Sequence, residues 1–157
     1  MFTDFSKISR YFYDLLAVAN YDLLKEVVKK NNIVQKRNVR TEPSISIRTG
    51  IIPFEDATVG TDFYENNFSG WSGFSCAIII DSGKKETSQE AFNIVATISQ
   101  RVKYILQNSF SDLIKIDDIP CNICSIQEVS DIAIEDGKSE FVFQMFVING
   151  IFNSITN

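Results

Sequence analysis

The chain has 157 residues, 45% of them hydrophobic, with a formal net charge of -5 and no histidine. That length suits one compact α+β domain over 1–157 with a real core, so disorder is not the expected state. Without histidine there is no Ser-His or Cys-His nucleophile pair and no imidazole zinc site, so catalysis would fall to carboxylates, Lys, Tyr or Cys.

Asp4 to about Lys30 reads as helical. Phe5, Ile8, Phe12, Leu15, Leu16 and Ala19 recur at steps of three and four, and Leu23, Leu24, Val27 and Val28 continue that face. Asn20 and Asp22 interrupt the pattern. Asn20 is placed to cap a second short helix from Tyr21 to Lys30, giving two helices with a bend. Asp4 and Asp14 stand where a secretory signal would have a basic start and an unbroken apolar run. No stretch approaches about 18 consecutive apolar residues, so no membrane span is expected.

From Lys25 to Arg48 the sequence is basic, with seven cations against Glu26 and Glu42. Lys36, Arg37 and Arg40 are its centre. Phe110 to the end holds eight acids against Lys115 and Lys138. The segregation fits two solvated faces, or copies docking head to tail through opposite patches. The basic stretch lacks interleaved aromatics and docking motifs, so nucleic-acid binding is the weaker reading.

Within the stretch EPSISIRTG, Ile45 and Ile47 alternate with serines and predict a half-buried strand, led in by Pro43 and ended by Gly50. Residues 51–73 lose all periodicity and hold Phe54, Phe63, Tyr64, Phe68 and Trp71. A connection this long is either a hairpin folded back on the core or a protruding arm whose rings anchor a partner.

Phe74 to Ile80 is a strand, and Asp81 to Glu86 a charged turn. Thr87 and Glu90 then have the spacing of a capping box. Ala91, Val95, Ile98, Val102 and Ile105 make one stripe of a long amphipathic helix, widened by Phe92 and Leu106. The turn has one glycine and no Ser or Thr directly after Lys84 or Lys85, so it fails as a phosphate loop and reads as a corner of the fold.

After a loop containing Asp117-Asp118, the run from Cys121 to Ile134 reads as a strand with a phase slip near Glu128. Glu135-Asp136-Gly137 is a hairpin turn, and the near-continuous apolar return strand, broken by Gln144, predicts a central position covered on both faces. The whole reads as a mostly antiparallel sheet packed by a bent N-terminal helix and one long central helix, with the arm between the first two strands. Cys121-x-x-Cys124 lies on a strand pattern, which favours free thiols over redox or zinc chemistry, and three cysteines without a signal suit a reducing cytoplasm. Asp117-Asp118 and Glu135-Asp136 read as solvated turn acids. No catalytic, metal or cofactor-binding residue is expected.

The stretches DLLKEVVKKNNIVQKRNVRTEPSISI, FSCAIIIDSGKKETSQEAFNIVATISQRV and EVSDIAIEDGKSEFVFQMFVI together resemble tail terminator and tail-completion (head–tail joining) proteins of tailed bacteriophages in element order and polarity. That resemblance implies a non-enzymatic virion protein: a homo-oligomeric ring, most often six-fold, in the neck or at the head-proximal end of the tail. It implies neighbouring connector or tail-tube proteins, DNA passing through the channel, assembly in the host cytoplasm and no membrane. Phe54, Phe63, Tyr64, Phe68, Trp71, Lys36, Arg37 and Arg40 would then make contacts between copies, and Glu135, Asp136 and Glu140 would face the lumen. The alternative is an adaptor or immunity-type protein gripping one partner with the aromatic arm.

Overall fold

A computed structural model of the chain describes residues 5–35, 41–49, 71–110, 114–136 and 139–153. For residues 5, 71–72, 130–136, 139–143 and 152–153 it describes the backbone alone. The fold is α+β. Six strands form one sheet: β1 (Ile33–Val34), β2 (Ser44–Thr49), β3 (Trp71–Asp81), β4 (Ile114–Ile116), β5 (Ile119–Asp136) and β6 (Ser139–Asn153). Their order is β1-β2-β3-β6-β5-β4. The β1–β2 pair is parallel and every other pair antiparallel, and β6 is central as its apolar run predicts. Among the described residues there are two α-helices, α1 (Phe5–Asp14) and α2 (Ser88–Ser109). None of those residues forms a helix long and apolar enough to cross a membrane.

The N-terminal region departs from the expected pair of helices. α1 runs into a π-helical turn at Leu15–Ala19, and short 3₁₀ turns follow at Tyr21–Leu23 and Lys30–Asn32. Asn20 closes the π turn instead of opening a second helix, because its backbone N–H and its Nδ2 both donate to the Leu15 carbonyl. The wider turn shifts the helical phase. Ile8, Phe12 and Leu16 are buried as the spacing requires, but Ala17 takes the inward place expected for Ala19. Leu24 and Val28 are buried, while Leu23 is exposed.

Register explains the core. Ile45 faces Ile80, Ile47 faces Ile78, Ile78 faces Phe146, and Cys76 faces Ile148, so these residues share one face of the sheet. They form one cluster with Ile8, Phe12 and Leu16 of α1 and with Ala91, Val95, Ile98, Val102 and Ile105 of α2. Full burial of each large side chain there contributes about 1.5–3 kcal/mol. Phe92, expected to widen the α2 stripe, is exposed. Thr87 caps α2 as the capping spacing predicts, its hydroxyl accepting from the Glu90 N–H at 3.2 Å. At the other end Asn108 and Ser109 bond back to the carbonyls of Tyr104 and Ile105, which helps end the helix.

The half-buried reading of β2 is corrected. Ser44 and Ser46 are as buried as Ile45 and Ile47, so β2, an inner strand between β1 and β3, is buried on its second face as well. On that second face Ser75 donates to Asn149 Oδ1 at 2.6 Å, and Asn149 Nδ2 donates to Ser125 Oγ at 3.2 Å. This polar row crosses β3, β6 and β5, and it satisfies the fully buried Asn149.

The single slip expected near Glu128 is two bulges that flank it. Cys124 is an extra residue between the Ile123–Gly150 and Ser125–Asn149 pairs. Ser130 and Asp131 together oppose Gln144. Each bulge restores phase: the first keeps Ile123 and Ile126 on the helix-covered face, and the second keeps Val129, Ile132 and Ile134 on the other. Gln144, the polar break in the apolar run from Phe141 to Ile148 of β6, donates to Glu128 Oε1, whose Oε2 receives Lys103 from α2.

Candidate functional site

The charged turn after β3 holds its own backbone. The Gly83 N–H donates to Asp81 Oδ1 at 2.8 Å, and the Ser82 hydroxyl donates to the Gly83 carbonyl. Gly83 has φ +72°, and a Cβ there would lie 2.5 Å from the Thr41 carbonyl oxygen, so glycine is required by both backbone and space. The donor that would begin a phosphate cradle is already engaged, and the segment is a corner packed against the start of β2.

The two acidic pairs have different settings. Asp117 and Asp118 form the two-residue turn between β4 and β5, both with positive φ (52° and 62°), the geometry of a hairpin turn that favours Asp, Asn and Gly. Lys7 of α1 pairs with the Asp117 carboxylate. Glu135 stands directly opposite Glu140, and Asp136 opposite Ser139, so the hairpin brings all three acids to one end. Beyond Phe143, the partner of Asp81, this hairpin continues as a two-stranded ribbon. Its register places Ile132, Ile134, Phe141 and Phe143 on one face and Glu135 and Glu140 on the other.

The cysteines are set apart by burial. Cys121 and Cys76 are buried and Cys124 is exposed at its bulge. Burial pushes the Cys76 thiol up to about 12 and the Cys121 thiol up to about 11, and it raises Cys124 as well. Tyr11, beside Cys121, is raised chiefly by its own burial. Among the described residues no group of three or more Cys, Asp or Glu side chains is placed to hold a metal ion.

A groove of about 340 Å³ lies between the 3₁₀ turns and β2, lined by Val27, Val28 and Pro43 with Lys29, Asn32 and Glu42. Glu42 receives Lys29 on one oxygen and Asn32 on the other, each at 2.8 Å, and the bond to Glu42 raises the Lys29 pKa. The carboxylate thus staples the chain to the 3₁₀ turn where it approaches β2.

Of the interaction residues expected from sequence, Phe54, Phe63, Tyr64, Phe68, Lys36, Arg37 and Arg40 lie outside the described residues, as does Gly137 of the hairpin turn. Trp71 opens β3 opposite Asn153, so residues 71–73 belong to the strand and not to the arm. Two features escaped the sequence reading: the short strands β1 and β4, and the outer edge of β5, which among the described residues is covered only near its start. β4 covers β5 only from Ile119 to Cys121. Past that point Ile126 and Val129 are exposed, at 37% and 38%. The signal was present in the phase slips, since bulges gather at sheet edges.

Charge follows the strand order. Lys25, Lys29 and Lys30, with Glu26 among them and Lys29 held by Glu42, lead directly into β1 at one margin of the sheet. Asp117, Asp118, Glu128, Glu135 and Asp136 belong to β5 and its turn near the other, where Lys7 pairs with Asp117 and Lys103 with Glu128. No protein-family model matches the chain, and no curated protein matches it significantly.

Proposed function

We propose that this chain is a structural virion protein that assembles head to tail into a closed ring in the neck or at the head-proximal end of a phage tail, and that it turns over no substrate. The observation that carries the reading is the separation of charge along the sequence, basic from Lys25 to Arg48 and acidic from Phe110 on, taken with a strand order that sets β1 and β5 toward opposite margins of one sheet. Opposite patches on opposite sides of a subunit favour heterologous contacts, and such contacts close into rings when the rotation allows. The aromatic residues Phe54, Phe63, Tyr64, Phe68 and Trp71, and the cations Lys36, Arg37 and Arg40 in the link from β1 to β2, add to the contacts between copies. Six-fold closure is the expected order, with neighbouring connector or tail-tube proteins above and below. Glu135, Asp136 and Glu140, gathered at the tip of the β5–β6 ribbon, face the channel and repel passing DNA.

Native mass spectrometry and particle imaging of the full chain, alone and with tail tubes, test the assembly. Closed rings of six or more copies are expected. A chain that stays monomeric and is absent from the collar of assembled particles would overturn the reading. Replacing Glu135, Asp136 and Glu140 with Lys should leave rings intact and slow DNA delivery. Unchanged infectivity would remove these acids from the lumen.

A further inference from the structure

β1 is a two-residue strand, and its hold on β2 is local. Ile33 faces Ile45 and Val34 faces Ser46, and the pairing ends there. Ile33 is buried in the core cluster, while Val34 is half-buried. A parallel pair this short has few ladder bonds, so the contacts of the chain on either side of it decide how often it opens. The 3₁₀ turn Lys30–Asn32 leads into β1, and Glu42 stands two residues before β2. These two lead-ins meet at one carboxylate. Glu42 Oε1 receives Lys29 Nζ, and Glu42 Oε2 receives Asn32 Nδ2, each at 2.8 Å.

The two bonds are not equal. Lys29 and Glu42 are both exposed, and an exposed ion pair contributes little. Asn32 is 4% exposed, and a buried donor that loses an acceptor carries its desolvation cost in full. The Asn32 bond is therefore the stronger part of the clasp, and the negative charge on Glu42 strengthens both parts. Other charges nearby are engaged elsewhere. Asp22 holds Lys25 at 3.6 Å, and Arg101 holds Glu26 at 3.6 Å. Lys30 lies over the Tyr21 ring, and Lys85, from the turn after β3, reaches the Thr41 carbonyl at 3.5 Å. The chain before β1 has its own tie without Glu42, since the Tyr21 hydroxyl donates to the Val28 carbonyl at 2.9 Å.

We propose that Glu42 is an acid-sensitive latch on β1: ionised, its carboxylate clasps Asn32 and Lys29 and keeps the strand on β2, and once protonated it lets the strand open more often and bare the edge of β2 at Ile45–Ser46. The proton comes from solvent, which the exposed Glu42 meets at the surface. A neutral carboxyl loses the attraction of Lys29 and the charge that strengthens the bond from Asn32. The hold is full at neutral pH and is lost as pH falls through the carboxylate range. The rest of the sheet is not touched by this change, since β2 stays paired to β3 from Ser44 to Thr49. The latch does not depend on the ring reading, and either can fail alone.

Hydrogen exchange of the full-length chain, read by mass spectrometry on peptides spanning Ile33–Val34, tests the latch. At pH 7, Glu42→Ala should speed exchange there by about tenfold or more, and Glu42→Gln, which keeps an acceptor but not the charge, by a smaller factor. Peptides of β3 and β6 should keep their wild-type rates. No change at β1 in Glu42→Ala would overturn the proposal. An equal rise throughout the sheet would also overturn it, since that means general destabilisation. Between pH 7 and about pH 4, protection at β1, taken against the unstructured rate at each pH, should fall in the wild-type chain and hold level in Glu42→Gln. An equal fall in both chains would assign the acid response to another group and remove the latch.

Discussion

β3 and β5 are both long strands rich in isoleucine, yet they behave differently. β3 lies between β2 and β6, holds its register with β6 over all eleven of its residues without a shift, and is buried on both faces along most of its length. β5 is longer, at eighteen residues, but past Cys121 it has, among the described residues, a strand on one side only, and it carries two bulges and a row of exposed side chains. An interior strand has ladders on both sides, so a one-residue slip would turn its whole apolar set outward. An edge strand has one ladder to keep and can absorb extra residues. Regularity in this sheet is therefore set by position more than by composition.

The sharpest test compares like with like. Ile78 on β3 is fully buried and Ile126 on β5 is 37% exposed. Ile78→Ala should cost about 2–5 kcal/mol, since a cavity is left in the core. Ile126→Ala should cost about 1 kcal/mol, since water fills the space. Urea unfolding of the two variants measures both, and equal losses would break the contrast.

A smaller effect is expected at Gly150, where β6 passes under the Phe74 ring. A Cβ there would lie 2.5 Å from Phe74 Cζ and 2.9 Å from the Asn122 carbonyl oxygen. Gly150→Ala should cost about 1–3 kcal/mol by overpacking. Combined with Phe74→Leu, it should cost less than the sum of the two single changes, because the ring is half of the clash. Strict additivity in thermal unfolding would show that the ring is not the obstacle.

The cysteines give the finest comparison. A maleimide should modify Cys124 in the folded chain and reach Cys76 only on unfolding, read by mass spectrometry after limited labelling. The pH dependence follows from burial. Between its ordinary 9.0 and about 12, Cys76 keeps its proton when folded and sheds it when unfolded. Its contribution is therefore full below pH 9 and is lost as pH rises through that window. Cys76→Ala should flatten this alkaline loss, and an unchanged slope would assign it to other groups.

What the sequence made legible was local. The α2 stripe and the Thr87 cap follow from spacing alone, and so does the central place of β6, whose run is apolar at successive positions. What stayed hidden depended on partners. β1 and β4 are two and three residues long and exist only because β2 and β5 lie beside them. Burial of Ser44 and Ser46 contradicts their side chains and follows from neighbours distant in sequence. Asp117-Asp118 read as solvated turn acids, and what the sequence did not show is that both adopt positive φ and that Asp117 pairs with Lys7. For the proposed contacts, the charge asymmetry was visible in the sequence, but that it divides between opposite margins of one sheet needed the strand order.

The bulges also determine where the chain can change length. Cys124, and one of Ser130 and Asp131, are surplus to the β6 ladder, so removing either leaves every other side chain of β5 facing as before. A deletion elsewhere within the strand would invert all positions on one side of it. Single-residue gaps in diverged sequences should therefore gather at these two places, and a chain shortened by two residues there would keep the same inside and outside while losing its local bends.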